Sequence, residues 1–291
     1  MKASTDGPSL HIALTFDDGF WAPAYATMRS VCLASRRRGD LVFHLFHRGL
    51  SPAHRATLDA IGTEFGAQLV DYDLSANAAF NGFLAGMSYH KALTNLVYAR
   101  LMLDQLMPAG ISRILYLDCD MLVRAPVEEL FALDLEGKAV AAVLDPHRHR
   151  AMLGCDFRQN SDLFSFDMPY FNAGMLVIDR AAFAAADLPG RTRAYHEAGV
   201  LARTQYDQAV LNLVFKDNWL PLDFRWNLIN PQPAHENFEP KIVHYTGPNK
   251  PWQLFSRVAF AQAYRHTMTN EVFYRYIRER RLRRLKRLVG R

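Results

Sequence analysis

The sequence contains little cysteine, glycine or proline. Its 291 residues include 3 Cys, 16 Gly and 14 Pro, and no two cysteines form a C-x-x-C pair. An odd, scattered set of cysteines supports neither a disulfide framework nor a cysteine zinc site, and a reducing compartment fits best. Because 50% of the residues are hydrophobic, the chain falls outside the disordered and low-complexity classes and is long enough for one large domain.

Long hydrophobic runs are absent too. No segment approaches the roughly 18 apolar residues of a membrane-spanning helix. The N-terminal MKASTDGPSL lacks the apolar core of a secretion signal. We therefore expect a cytoplasmic protein without a membrane-spanning segment.

Positive charge is concentrated at the C-terminus. The chain has a net charge of +5, but residues 275–291 hold nine Arg or Lys and one Glu, so the rest of the chain is mildly acidic. The globular part should have no general affinity for polyanions. Leu282, Leu285, Leu288 and Val289 recur among the basic residues, which predicts an amphipathic helix on an anionic membrane surface, peripheral to the inner face of the cell membrane. Nucleic acid is not expected as a partner, because the most basic stretch lacks interleaved aromatic residues; a solvated tail is the remaining alternative.

Short apolar runs alternate with helical segments along the chain. Strands are predicted over 10–16, 41–46, 67–72, 113–117, 138–144, 174–178 and 241–245, and helices over 22–38, 52–65, 91–107 and 207–215. The alternation predicts one α/β domain with a mainly parallel sheet. We assign this domain to residues 9–265, with a flexible N-terminus at 1–8 and the basic amphipathic tail at 266–291.

Carboxylates follow three predicted strands where each strand ends. Asp17 and Asp18 follow the first strand, Asp118 and Asp120 follow RILYL, and Asp145 follows AVAAVL. In an open α/β sheet, ligands bind beyond the carboxyl ends of the strands. Carboxylates gathered there repel one another unless a cation or cationic ligand lies among them, so these residues predict such a site.

Asp118-Cys119-Asp120 is the sharpest of these signals. In an extended backbone the two carboxylates point to one side and the thiol to the other. Two hard oxygen ligands suit Mn²⁺ or Mg²⁺, which keep open positions for water and phosphate oxygens. The alternative is a pair of turn-forming, helix-capping aspartates.

Further polar residues stand near other predicted strands and helices. His244, Gly247 and Lys250 occur together in HYTGPNKPW, where an imidazole could ligate a metal and an ammonium could neutralise a phosphate. Arg100 lies on the apolar face of the helix predicted over 91–107, so its partner is either a protein carboxylate or a ligand phosphate. Asn172, in YFNAG, could read sugar hydroxyls or belong to a plain turn.

Taken together, these segments resemble the family 8 glycosyltransferases, retaining enzymes that include bacterial lipopolysaccharide galactosyl- and glucosyltransferases and glycogenin. The likeness runs in order through ALTFDDGF, YARLML, ILYLDCDMLV, AAVLD, YFNAGMLVID, QYDQAVLN and HYTGPNKPW. It implies a GT-A-type, Rossmann-like fold that binds a UDP-sugar and Mn²⁺, with Mg²⁺ as a substitute.

The resemblance also implies roles for individual residues. Asp118, Asp120 and His244 would ligate the metal. Asp17, with Asp18 in the same loop, would hold the uridine.

Two further groups follow from the matching motifs. Gly247 and Lys250 would contact the diphosphate. The residues expected around the transferred sugar are Arg100, Asp145, Asn172, Asp207 and Gln208. Asp145, Asp207 and Gln208 form the candidate catalytic set, in which Gln208 is either a weak nucleophile or a stabilising group; otherwise the plain reading of Asp207 and Gln208 is a helix start.

The implied reaction transfers a hexose, galactose or glucose, to a cell-surface glycan or glycolipid such as lipopolysaccharide or lipooligosaccharide, with retention of configuration. The first loop departs from the family at Gly19, where many relatives carry Asn, so the donor sugar is left open.

Three competing interpretations share some of these motifs. TFDDG also resembles the first motif of polysaccharide deacetylases, but their metal site needs two histidines four residues apart, and none of the 11 histidines has that spacing. A haloacid-dehalogenase-like phosphatase would place D-x-D early in the chain and follow it with Thr or Val, whereas here Met121 follows Asp120.

A catalytically degenerate sugar- or lipid-binding module is the third alternative.

Overall fold

The computed structural model describes residues 8–85, 87, 95–149, 160–204, 206–216 and 218–289. Its strands are β1 (Leu10–Thr15), β2 (Leu41–His47), β3 (Gln68–Asp73), β4 (Arg113–Leu117), β5 (Met121–Val123), β6 (Val140–Leu144), β7 (Phe171–Asp179), β8 (Trp219–Pro221), β9 (Leu228–Ile229) and β10 (Ile242–His244). A seven-stranded sheet has the order β3-β2-β1-β4-β7-β6-β8, and a three-stranded sheet has the order β5-β10-β9.

Helices surround the larger sheet. The α-helices are α1 (Trp21–Ala34), α2 (Pro52–Phe65), α3 (Ala78–Leu84), α4 (Leu103–Leu106), α5 (Glu128–Phe131), α6 (Arg180–Ala185), α7 (Leu188–Glu197), α8 (Tyr206–Val214), α9 (Ala261–Met268) and α10 (Asn270–Val289). Short 3₁₀ helices occupy Asp18–Phe20, Arg38–Asp40, Asn95–Met102, Phe224–Asn227 and Pro233–Phe238.

The larger sheet is mainly parallel, which confirms the predicted fold class. β1 pairs in parallel with β2 and β4, β2 with β3, and β6 with β8. β7 is the exception and runs antiparallel to both β4 and β6. The chain leaves β6 at Leu144 and re-enters the sheet at Phe171, the register partner of Leu144, so β7 must run back along β6.

Apolar side chains cover both faces of this sheet. Alternate residues of β1 belong to different buried clusters, with Ile12 and Leu14 in one and Ala13 in the other. The first cluster includes residues of α1 and α2, and the second includes residues of α8. A strand that is buried on both faces explains the nearly continuous apolar run in its sequence.

The segment predicted as a helix over 91–107 has a different structure. Residues 91–94 lie outside the described residues, and Asn95–Met102 form a 3₁₀ helix that leads into α4. Residues 98–102 are all buried. Burial fits the apolar composition of the predicted helix, but the hydrogen bonding over Asn95–Met102 is that of a 3₁₀ helix rather than an α-helix.

The C-terminal segment is joined to the domain more closely than its charge suggests. The expected boundary at residue 265 falls inside α9, and the long basic helix begins at Asn270. Val272, Phe273 and Tyr276 of this helix belong to the same buried cluster as β1. Within the described part of the chain, no helix has the length and apolarity to cross a membrane.

Candidate active site

The centre of the site is the connection between the two sheets. β4 ends at Leu117 and β5 begins at Met121, so Asp118 and Asp120 lie between them. β10 pairs antiparallel with β5, and its last residue, His244, is the register partner of Met121. Pairing of the strands therefore brings His244 beside two aspartates that are distant from it in the sequence.

Asp118, Asp120 and His244 present converging ligand atoms. One ligand atom from each lies within 4.8 Å of the others. His244 Nε2 is 3.1 Å from Asp120 Oδ1 and 3.7 Å from Asp118 Oδ2. Cys119 is buried on the other side of the connection, where its Sγ donates to the Thr15 carbonyl oxygen. Two carboxylates and one imidazole are a donor set that Mn²⁺ accepts, and Mg²⁺ less readily because it prefers oxygen.

Gly174 provides the space in which these ligands meet. Its carbonyl oxygen accepts a hydrogen bond from Asp118 N at 2.7 Å, so β7 lies directly against the connection. A Cβ at residue 174 would collide with His244 Cε1 and would lie 2.8 Å from Asp118 Oδ2. The absence of a side chain leaves room for the ligand atoms, and the residues present therefore fit a divalent cation.

Two asparagines orient the imidazole. His244 Nδ1 donates to Asn227 Oδ1 at 2.9 Å, and Asn227 Nδ2 donates to Asn172 Oδ1 at 2.9 Å. With its Nδ1 proton engaged, His244 presents Nε2 to the two aspartates, which is the usual arrangement behind a metal-bound histidine. Asn227 was missed in the sequence, since WNLIN carries no motif and the contact exists only after folding.

Asp120 has two cationic or ionisable neighbours. Lys250 Nζ donates to Asp120 Oδ2 at 2.7 Å and also to the Tyr245 carbonyl oxygen. Burial alone would raise the pKa of Asp120, but His244 and Lys250 hold that pKa well below its ordinary value. Asp120 is therefore an anion, as metal ligation requires. The ammonium of Lys250 lies on this carboxylate, and its expected contact with a diphosphate stays a prediction.

Arg100 lies between two carboxylates. Its Nη2 is 2.9 Å from Asp118 Oδ1, its Nε is 2.7 Å from Asp207 Oδ2, and its Nη1 donates to the Ala173 carbonyl oxygen at 2.8 Å. Burial would lower the pKa of Arg100, but the two carboxylates raise it. Of the two partners expected for Arg100, the structure contains the protein carboxylate. Asp207 lies in the first turn of α8, as a helix start predicts, and is buried against this guanidinium.

Asp145, Asn172 and Gln208 form one hydrogen-bonded cluster. Asn172 Nδ2 lies 3.2 Å from both Asp145 Oδ2 and Gln208 Oε1. Gln208 Nε2 donates to Asp145 Oδ2 at 3.3 Å, and Ala173 N donates to Gln208 Oε1 at 3.0 Å. The side chains come from β7, α8 and the end of β6, so the fold brings together three residues that the family resemblance places around the transferred sugar.

A cavity of 610 Å³ connects this cluster with the converging ligands. The residues around it are Asp118, Asp120, Asp145, His147, Asn172, Gln208, Ile229, Asn230, His244, Thr246, Gly247 and Pro248. His147, Asn230 and Thr246 were not predicted. Asn230 contacts both of the others, at 3.0 Å from His147 Nε2 and 3.1 Å from Thr246 Oγ1. These polar groups line the side of the cavity next to Gly247.

The two aspartates after β1 have different surroundings. Asp18 Oδ1 accepts hydrogen bonds from Ser51 N at 2.8 Å and from His54 Nδ1 at 2.7 Å, so it is engaged at the start of α2. Asp17 instead lines a second cavity of 860 Å³, together with Lys250. Asp17 therefore borders a cavity, whereas Asp18 holds the loop against α2, and uridine binding by this loop stays a prediction.

Among the described residues, the group able to hold a metal through three His, Cys, Asp or Glu side chains is Asp118, Asp120 and His244. Neither Asp17 nor Asp18 belongs to it. The deacetylase interpretation, which needs an aspartate of TFDDG as a metal ligand, therefore has no support in this part of the chain.

The chain is similar in sequence to several known proteins. Residues 11–255 match the model of Glycosyl transferase family 8. General stress protein A of Bacillus subtilis is 24% identical over 280 residues, which cover 89% of this chain and 93% of the relative. Lipopolysaccharide 1,3-galactosyltransferase of Salmonella typhimurium is 24% identical over 282 residues, which cover 91% of this chain and 80% of the relative. Several streptococcal relatives are longer, and the matches span 21% to 58% of their length.

The same fold occurs in a solved structure. The galactosyltransferase LgtC, in complex with donor and acceptor sugar analogues, superposes with a TM-score of 0.73 at 24% identity and covers 89% of this chain and 95% of LgtC. This similarity shows the GT-A fold. Because the family model spans most of the chain and the fold is that of LgtC, the protein belongs to glycosyl transferase family 8.

Proposed function

We propose that the protein is a metal-dependent, retaining hexosyltransferase. It transfers galactose or glucose from a UDP-sugar to a cell-surface glycan or glycolipid acceptor. The observation that carries the proposal is the convergence of Asp118, Asp120 and His244 at a cavity that also contains Asp145 and Gln208. A nucleotide-sugar diphosphate needs a cation at one end and hydroxyl-binding groups at the other. This cavity has side chains that could hold the cation and side chains that could bind the hydroxyls.

Asp118, Asp120 and His244 would hold Mn²⁺ or Mg²⁺. A bound divalent cation supplies Lewis acidity that stabilises negative charge on a departing diphosphate. Lys250, 2.7 Å from Asp120, adds a second positive charge at the same place and can move from the carboxylate to a phosphate oxygen. In that position Lys250 would stabilise the diphosphate as the bond between the anomeric carbon and the phosphate oxygen breaks.

The sugar end of the cavity favours a stabilising role for Gln208. Its Oε1 accepts hydrogen bonds from Asn172 Nδ2 and Ala173 N, and its Nε2 donates to Asp145. An oxygen that already accepts two hydrogen bonds is a poor nucleophile, but its dipole can stabilise positive charge that develops on the sugar ring. In this proposal the acceptor hydroxyl approaches from the face that the diphosphate leaves, which gives retention.

The acceptor class follows from similarity. The Salmonella relative is a lipopolysaccharide galactosyltransferase by name, and we extend an acceptor of this class to the present chain. Leu282, Leu285 and Leu288 of α10 are 51%, 56% and 64% exposed among basic residues. We extend the proposal to peripheral binding of this helix at the cytoplasmic face of the membrane, where a glycolipid acceptor is accessible.

Calorimetric titration with UDP tests the donor and metal assignments together. We expect wild-type protein to bind UDP tightly with Mn²⁺ and much more weakly with EDTA. Asp118→Asn should remove the Mn²⁺ dependence, whereas Asp223→Asn, which changes an exposed aspartate paired with Arg225, should behave as wild type. Equal UDP affinity with and without Mn²⁺ would contradict the metal assignment.

A further inference from the structure

Helix α10 forms one wall of the 860 Å³ cavity that contains Asp17. The residues around this cavity include Asp17, Lys250, Arg280, Arg281, Arg283 and Arg284. The cavity shares Pro248 with the 610 Å³ cavity, and Lys250 lies between it and Asp120. It is therefore adjacent to the metal ligands and has the volume of a small-molecule site.

The charge around this cavity is strongly positive. Its lining includes Lys250 and four arginines of α10, with Asp17 as its single carboxylate. Among the described residues, no carboxylate forms an ion pair with Arg280, Arg281, Arg283 or Arg284 within 4.0 Å. Uncompensated arginines that line one side of a cavity favour an anionic ligand, and guanidinium groups bind phosphate oxygens well.

The arginines are held in place by the buried part of the same helix. Tyr276, which is 2% exposed, donates from its hydroxyl group to the Gly19 carbonyl oxygen at 3.2 Å. Glu279 Oε2 accepts hydrogen bonds from Trp21 Nε1 and His54 Nε2, each at 3.1 Å. These contacts fix α10 against the loop after β1, immediately before its arginines.

Helical spacing then carries the guanidinium groups over that loop. Arg280 lies one turn beyond Tyr276, and Arg283 and Arg284 lie a further turn along the same face. A Cβ at Gly19 would be 3.2 Å from Arg283 Nη1, so this guanidinium reaches the backbone next to Asp17.

We propose that Arg280, Arg283 and Arg284 bind the diphosphate of the nucleotide donor, so that helix α10 completes the donor site. The inference rests on the proposed function. It assigns the arginine face of the helix to a soluble nucleoside diphosphate and leaves the exposed leucines for the membrane. A lipid headgroup is the alternative ligand for the same arginines.

The test compares UDP with uridine, which lacks the phosphates. We expect the Arg283→Gln/Arg284→Gln variant to bind UDP in the presence of Mn²⁺ about tenfold more weakly than wild type, and to bind uridine, followed by ligand-observed NMR, with unchanged affinity. Arg278→Gln, an exposed residue of the same helix outside the cavity lining, is the matched control and should bind both ligands as wild type does.

Each other outcome overturns the inference. Unchanged UDP affinity in the double variant would refute it and leave the proposed function intact. That result combined with loss of flotation on anionic phosphatidylglycerol vesicles would assign the arginines to lipid headgroups. Equal weakening for UDP and uridine would show a displaced helix. Absence of UDP binding by wild type would refute the proposed function, and this inference with it.

Discussion

Gly174 is the residue at which the geometry of the site is most constrained. It is in β7, whereas Asp118 follows β4 and His244 ends β10, so three strands must stay in register for these residues to meet. We predict that Gly174→Ala displaces His244 and Asp118 and weakens Mn²⁺ binding at least tenfold, because the new Cβ would collide with His244 Cε1. Calorimetric titration with Mn²⁺ measures this change.

Gly82→Ala is the matched control for that prediction. Gly82 is in α3, and a Cβ there meets nothing within 4 Å. The control should bind Mn²⁺ as wild type does. Gly174→Ala protein that keeps wild-type Mn²⁺ affinity would show that the three side chains are not the ligands.

Among individual residues, the sequence predicted the candidate metal ligands better than the residues that orient them. Asp118 and Asp120 could be found because alternation along an extended backbone is a local rule. Their meeting with His244 came from a family resemblance, and no local rule leads to it. Asn227, which orients His244, could not be predicted because its contact depends on how β9 and β10 pair.

Helix α10 combines a buried half and an exposed half, and the two should respond differently to truncation of side chains. Phe273 is 1% exposed and belongs to the main core, whereas Leu285 is 56% exposed. We predict that Phe273→Ala lowers the free energy of unfolding by about 3 kcal/mol through loss of burial and the resulting cavity. Leu285→Ala should change it by less than about 0.5 kcal/mol.

Urea unfolding of both variants measures the difference. Similar small effects would mean that α10 is not part of the domain core. This result would favour the predicted domain boundary at residue 265, which follows the charge distribution.

Strand β2 contains a histidine whose ionisation should make stability depend on pH. His44 is 2% exposed, and its ring nitrogens contact His11 Nδ1 at 3.0 Å and the Tyr72 hydroxyl at 2.9 Å. Burial, with a smaller effect of His11, lowers the pKa of His44 from 6.5 to about 4. The unfolded chain therefore binds the proton more readily between these two values, so stability should fall as pH falls.

The expected loss from His44 alone is about 2 kcal/mol at pH 5 and about 3 kcal/mol at pH 4, relative to pH 7. Urea unfolding across this range should show a steeper fall for wild type than for His44→Gln, which cannot take up the proton. Parallel curves would contradict the assignment.

Among helices and strands, the sequence predicted the bounds correctly where residues at both ends signal a start and a stop. α2 has the predicted bounds because Ser51 caps its start and Gly66, with φ of 75°, ends it. The 3₁₀ helix at Asn95–Met102 and the reversed direction of β7 could not be predicted. Both depend on packing between segments that are distant in the sequence.

Across the whole molecule, helix α10 carries both cavity-lining arginines and exposed leucines, and the two sets can be tested separately. If the exposed leucines contact the membrane, Leu282→Ser/Leu285→Ser/Leu288→Ser should reduce flotation with phosphatidylglycerol vesicles severalfold, because the buried apolar area is lost. UDP affinity should stay at the wild-type value. Arg278→Gln, with one charge fewer, should reduce flotation only slightly. Unchanged flotation of the leucine variant would contradict membrane binding through this helix.

The proposed activity is metal-dependent use of a UDP-sugar, and release of UDP in the absence of an acceptor is its simplest test. We predict that wild-type protein, given a panel of UDP-sugars, slowly releases UDP from UDP-galactose or UDP-glucose with Mn²⁺, that EDTA stops the release, and that excess Mn²⁺ restores it. Release at the same rate in EDTA, or no release from any UDP-sugar by protein that also fails to bind UDP, would contradict this activity.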